Sequence, residues 1–194
     1  MTFADEAYLM ARSSVLAGLD SANLIAETFS PYPTFSFGFG NIPQTFNSLF
    51  IIGLAKSAST ATGYINDQIN VQFNGVTSST YNYTIMYNNG GSAASGSYTS
   101  GAAMIQMSEL WTSFSSNTAG AGSFVGFIPN YSNTNYTKTL FSMTYASDGT
   151  ANAGSLRLYG GTLSGTEAPV TSMRFFTTTG AQFTAGTYIG MYGM

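Results

Sequence analysis

The chain has 194 residues, with five Lys/Arg, eight Asp/Glu, no histidine, no cysteine and a net charge of −3. The missing histidine removes the usual general acid/base at neutral pH and the commonest metal ligand, and the missing cysteine removes thiolate nucleophiles, zinc–thiolate sites and disulfides. The few cations stand singly and the pI is about 4.5, so the clustered positive charge that a nucleic-acid surface requires is missing.

Residues 1–28 read as an N-terminal helical arm. Thr2 with Asp5 and Glu6 has the form of a helix start, and Phe3, Ala7, Met10, Ala11 and Leu19 recur at roughly helical spacing. Asp20-Ser21 is a candidate cap for a second short turn through Ile25. Three readings stay open, a helix packed on its own domain, an arm docked on a neighbouring subunit, and a disordered tail. Under the second, Phe3, Tyr8, Met10, Arg12 and Leu16 are the assembly contacts. The acids at Asp5, Glu6, Asp20 and Glu27 do not suit a secretion signal.

Residues 29–41 read as a Pro/aromatic linker around Pro31 and Pro33, because proline holds the preceding residue extended. Within it, Phe35-Ser36-Phe37-Gly38-Phe39 alternates as a short edge strand does. From 42 to 194 the pattern is strands and turns, predicting an all-β, antiparallel β-sandwich. The apolar run Leu49–Ala55 suits a strand buried on both faces and falls well short of the ~20 residues of a membrane helix. Ile69, Val71 and Phe73 alternate with polar residues before a hairpin-type Asn74-Gly75 turn, and Tyr81, Tyr83, Ile85 and Tyr87 alternate in the same way. The Gly/Ser/Ala-rich stretch 91–102 reads as a loop, with further strands at 103–107, 123–129, 138–145, 154–160, 170–177 and 186–192.

One chemistry that needs neither histidine nor cysteine is a pair of suitably placed carboxylates, as in glycosidases. The candidates are Asp67, Glu109, Asp148 and Glu167; Asp67 and Asp148 sit in turn-like settings and Glu167 lies between Gly165 and Pro169, so a catalytic pair is not the expected reading. No catalytic, metal or cofactor-binding residue is assigned, and no cofactor is expected. Tyr131, Asn133 and Tyr136 lie in an aromatic and amide-rich segment. Such residues pack cores and subunit interfaces, or stack on sugars and hydrogen-bond their hydroxyls.

Charged residues make up 7% of the chain, against about 25% in an ordinary globular domain. Charge normally keeps a free monomer soluble and apart. A chain this uncharged is either coated by neutral polar side chains or permanently covered by partners. An aromatic content of 15% alongside abundant Ser, Thr, Asn and Gly fits both.

The order of several short segments carries a resemblance. They are Ile42-Pro43-Gln44-Thr45-Phe46 leading into 49–55, Val71-Gln72-Phe73-Asn74-Gly75 followed by Tyr81-Asn82-Tyr83, and Ile128-Pro129-Asn130-Tyr131 with Thr134 and Lys138-Thr139. The C-terminal part adds Thr171-Ser172-Met173-Arg174, Phe183-Thr184-Ala185-Gly186-Thr187 and Met191-Tyr192-Gly193. In this order the chain resembles the jelly-roll-like β-sandwich family of tailed-phage virion proteins, found in head decorations and tail fibres. The resemblance implies a viral structural protein made in the host cytoplasm and placed on the virion. It would be a capsid decoration or cement protein, with the major capsid protein and its own copies, as a homotrimer, for partners. The alternative it implies is a tail-fibre or tail-tip module recognising host surface glycans. Neither nucleic acid nor membrane is an expected partner, and the family carries no catalytic residues to transfer.

Overall fold

The computed structural model describes residues 23–60, 67–89, 95–112, 121–147 and 154–194. In chain order the strands are β1 Leu24–Phe29, β2 Ser36–Phe39, β3 Ser48–Ser57, β4 Asp67–Phe73, β5 Tyr81–Asn89 and β6 Ser95–Ala102. They continue with β7 Ile105–Thr112, β8 Ala121–Pro129, β9 Lys138–Ser147, β10 Gly154–Leu163, β11 Met173–Thr177 and β12 Tyr188–Gly193. Two antiparallel sheets result, one ordered β2-β11-β4-β7 and the other β1-β12-β3-β8-β9-β10-β5-β6. A short parallel pairing, Lys56 with Trp111 and Ser57 with Thr112, ties β3 to β7 and so joins the sheets.

The main core lies between the sheets. Ile69, Val71 and Phe73 of β4 and Phe175 of β11 are fully buried against Leu49 and Ile51 of β3 and Ile128 of β8. Residues on β3 alternate between two environments, because Ile52 instead joins Tyr188 and Tyr192 in a smaller cluster outside this core. Its unbroken apolar run therefore serves both faces, as such runs do in strands covered on each side.

The expected helical arm over 1–28 is corrected at its C-terminal end. Leu24–Phe29 is strand β1, paired antiparallel with β12 from Leu24↔Tyr192 to Phe29↔Tyr188. The free edge of β12 offers this segment a full set of backbone partners, and tertiary pairing of that kind overrides a weak local helical preference. Residues 1–22, with Phe3, Tyr8, Met10, Arg12 and Leu16, lie outside the described residues. Ser36–Phe39 is an edge strand, paired with β11 alone. Beyond it, Phe37 packs on Phe183 with ring centroids 5.0 Å apart.

Two further expectations change. Ser95–Ala102, read as loop, is strand β6 at the border of the larger sheet. Asn74 and Gly75 do form a tight turn, with φ of 53° and 68° and the Val76 amide donating to the Phe73 carbonyl at 2.9 Å. The turn does not close a hairpin, however, because β4 and β5 belong to different sheets. Two side chains hold it. The Tyr81 hydroxyl accepts from the Phe73 amide at 2.9 Å and donates to the Val76 carbonyl at 3.1 Å. Asn74 accepts from the Thr171 amide at 2.8 Å and donates to the Pro169 carbonyl at 2.8 Å.

Candidate functional site

Strand β7 lies close against the inner side of β8, β9 and β10, and the residues beneath it are small for that reason. A Cβ built on Gly122 would stand 2.3 Å from the Glu109 carbonyl, and one on Gly161 would stand 2.5 Å from Ile105. Between these glycines the inner positions of β9 are Ser142 and Thr144. Ser142 Oγ donates to the Met107 carbonyl at 2.7 Å, and Thr144 Oγ1 lies 3.1 Å from Ser108 Oγ. Hydroxyls are tolerated here because each finds a partner.

The consequence is an inverted strand. Along β9, burial alternates with Leu140, Ser142, Thr144 and Ala146 inside and Phe141, Met143 and Tyr145 outside. Outside, Phe141 is 55% exposed, Met143 43% and Tyr145 52%, with Leu156 of β10 at 49% and Met86 of β5 at 55%. Register makes these neighbours: Met143 pairs with Leu158 and Val125, Tyr145 with Leu156, and Leu158 with Met86. Tyr98 of β6, also exposed, pairs with Thr84 at the same border of the sheet. The outer face of the larger sheet thus carries a contiguous apolar surface of the kind that marks an interaction site. Only two charged residues occur in the described parts of β5, β6, β8, β9 and β10, namely Lys138 and Arg157, and both turn away from this face.

Arg157 reaches from β10 to the smaller sheet and pairs with Glu109 of β7, whose side chain is fully buried. Its guanidinium also sits 5.0 Å from the Tyr87 ring centroid. Burial raises the Glu109 pKa to about 7, and this is opposed by the Arg157 charge and by hydrogen bonding from Ser155 and Arg157. Beside the pair, Tyr159 is made less acidic, first by burial and then by the Glu109 charge. Asp67 is also fully buried. Its carboxylate accepts from Ser57 Oγ, from Thr179 Oγ1 at 2.8 Å, and from the amides of Gln68 and Thr179 at 3.0 and 3.1 Å. Of the other two carboxylates considered, Glu167 is exposed and Asp148 lies outside the described residues. Asp67 and Glu109 are both sealed from solvent and engaged with protein partners. The chemistry this arrangement can do is to tie strands together.

Tyr131, Asn133 and Tyr136 share the loop between β8 and β9 but not one surface. Tyr131 is fully buried and donates its hydroxyl to the Pro43 carbonyl, which removes it from any ligand-binding surface. Asn133 is half-buried, its side chain accepting from the Asn135 amide at 2.6 Å. Tyr136 alone presents its ring, at 63% exposure. Lys138 organises the loop from below. It is buried, and its Nζ donates to the carbonyls of Asn133 and, at 2.8 Å, Tyr136. Burial lowers its pKa, with Glu167 opposing the shift.

Among the described residues no group of three or more His, Cys, Asp or Glu is placed to hold a metal ion, and no helix is long and apolar enough to cross a membrane. Comparison with protein-family models, with curated proteins and with solved structures finds no match to this chain. The apolar face was not among the sites read from the sequence. Its signal was present in Phe141-Ser142-Met143-Thr144-Tyr145, but alternation says only that the two sets face opposite ways, and large apolar residues are ordinarily assigned to the interior.

Proposed function

We propose that this chain is a non-enzymatic structural protein of a virion, specifically a decoration or cement protein on the outside of a tailed-phage head. The observation that carries the assembly part of this reading is the inverted strand β9, which spends Phe141, Met143 and Tyr145 on the outside while Ser142 and Thr144 lie within. A face of that composition is costly to leave in water and is matched to a partner in the mature assembly. The low charge of the chain fits the same use. Burial and local pairing of Asp67 and Glu109 favour a structural over a catalytic role for the carboxylates.

The virion part rests on the resemblance, and the strand order supports it. β2-β11-β4-β7 facing β3, β10, β5 and β6 can be read as an eight-stranded jelly roll. In that reading the β8–β9 hairpin is inserted between β3 and β10, and β12 and β1 extend the sheet beyond β3. Its expected partners are the major capsid protein and further copies of itself, with a homotrimer suited to local three-fold positions.

Mass spectrometry of purified particles tests the reading. Copy number in fixed proportion to the major capsid protein supports the head location, a handful of copies per particle moves the chain to the tail, and a chain absent from particles overturns it. The anchoring role of the N-terminal segment is tested by deleting residues 1–22, which spares β1. Attachment should be lost with the melting transition retained.

One observation favours the alternative, a tail module recognising host glycans. Tyr136 presents an exposed ring on a loop held by the buried Lys138. Tyr136→Ala that abolishes adsorption to host cells, with particle assembly unchanged, would select it.

A further inference from the structure

We infer that the partner seated on the apolar outer face of the larger sheet is a second copy of this chain. The inference rests on the assembly reading above and names the occupant of that surface.

Three features of the face select a like partner. First, its extent is right. Six large side chains (Met86, Tyr98, Phe141, Met143, Tyr145 and Leu156) stand roughly half exposed or more. At about 200 Å² for a side chain of this size, they leave on the order of 600 Å² of apolar surface, close to the ~800 Å² that each partner gives to a stable interface. Second, the part of the face formed by the described residues of β5, β6, β8, β9 and β10 carries no charge, since Arg157 and Lys138 point inward to Glu109 and to the loop carbonyls. A partner of a different kind gains no electrostatic selectivity here, whereas an equally uncharged surface loses nothing by desolvation.

Third, the relief is self-complementary. Phe141, Met143 and Tyr145 form a ridge along β9. Beside it Gly160 pairs with Phe141, has no atom within 4 Å of an added Cβ, and is exposed. Gly96, also exposed, pairs with Met86. Protruding side chains alternate on this face with open glycine positions, one beside Phe141 and one beside Met86, and an identical sheet can seat its side chains there, as inner faces interdigitate when sheets pack at about 10 Å.

The experiment is analytical ultracentrifugation of the full purified chain at micromolar concentration, with three variants. Met143→Lys places a charge at the centre of the face, Leu156→Asn weakens the same face more gently, and Arg174→Glu changes the exposed outer side of the smaller sheet. Circular dichroism melting monitors folding. The wild type should sediment as a closed oligomer, and Met143→Lys as a monomer, with self-association weakened by about 30-fold or more. Leu156→Asn should weaken association less, and Arg174→Glu should behave as wild type. If Met143→Lys fails to fold, Leu156→Asn decides. A monomeric wild type, or an oligomer that survives the substitutions on this face, overturns the inference. Particle composition separates it from the virion reading. A monomeric chain found on particles sinks the self-contact alone, and an oligomeric chain never found on particles sinks the virion reading alone.

Discussion

Arg157 on β10 reaches between the sheets to Glu109 on β7, where the carboxylate has no solvent exposure and the guanidinium side chain keeps 13%. The pair ties the larger sheet to the border strand of the smaller one, directly behind the outward ridge of β9. Desolvation of the two charges offsets much of their attraction, so the contact specifies geometry more than it adds stability.

Removing one partner should therefore cost more than removing both. At pH 8, where Glu109 is ionised in the wild type, Arg157→Met removes the counter-ion of a buried acid, at a cost of about 3–5 kcal/mol. The double variant Glu109→Gln/Arg157→Met should recover most of that loss. Urea denaturation of the wild type, both single variants and the double variant checks the cycle. A single variant as stable as the double would show that the pair carries no such strain.

The same carboxylate makes stability depend on pH with a definite sign. The Glu109 pKa is raised from 4.5 to about 7 in the folded chain, so within that window the native state binds a proton that the unfolded state has released. Its contribution is complete below about pH 4.5 and is lost as pH rises through about 7. At about 1.4 kcal/mol per pH unit, the loss is on the order of 3 kcal/mol. The urea midpoint should fall from pH 5 to pH 8, and Glu109→Gln should flatten that slope. A midpoint that rises over this range, or a slope unchanged in Glu109→Gln, contradicts the assignment.

Lys138→Met should destabilise the chain by about 2 kcal/mol, since the carbonyls of Asn133 and Tyr136 lose their buried donor. The visible effect should be local, with faster proteolytic cleavage in the loop 130–137. An unchanged cleavage rate would mean that the lysine does not hold the loop.

Gly160 and Gly161 are adjacent in sequence and face opposite ways, which gives a contrast within one strand. Gly161→Ala drives a methyl against Ile105 and should cost about 1–3 kcal/mol. Gly160→Ala meets nothing within 4 Å in its own chain and, in the Met143→Lys background that keeps the chain monomeric, should leave the thermal midpoint unchanged or slightly raised. Equal effects at the two positions would refute the close seating of β7 on β10.

Strands with a conventional pattern were legible in advance. Ile69, Val71 and Phe73 alternate with polar residues and do fill the core, because successive strand side chains point to opposite faces and the apolar set takes the side between the sheets, even though Asn70 and Gln72 are buried too. β6 was missed because Ser95-Gly96-Ser97-Tyr98 belongs to an exposed edge strand, which needs no apolar alternation. β1 was misread because its edge position is set by the backbone of β12, a partner far along the chain. Of the site residues, Tyr131 and Tyr136 looked alike in sequence, and only packing buries one and exposes the other.

What the sequence alone determined is the chemistry open to this protein and its class of architecture. Composition is a property of the chain in any conformation, and alternation is imposed by strand geometry itself. What only the tertiary structure decided is which of two alternating sets faces out. On β9 that choice was made by β7, whose close approach leaves room beneath it for Ser142 and Thr144 and none for Phe141, Met143 and Tyr145. The same packing brought Glu109 to Arg157. Contacts between strands distant in sequence depend on how the sheets stack, and local pattern does not record that.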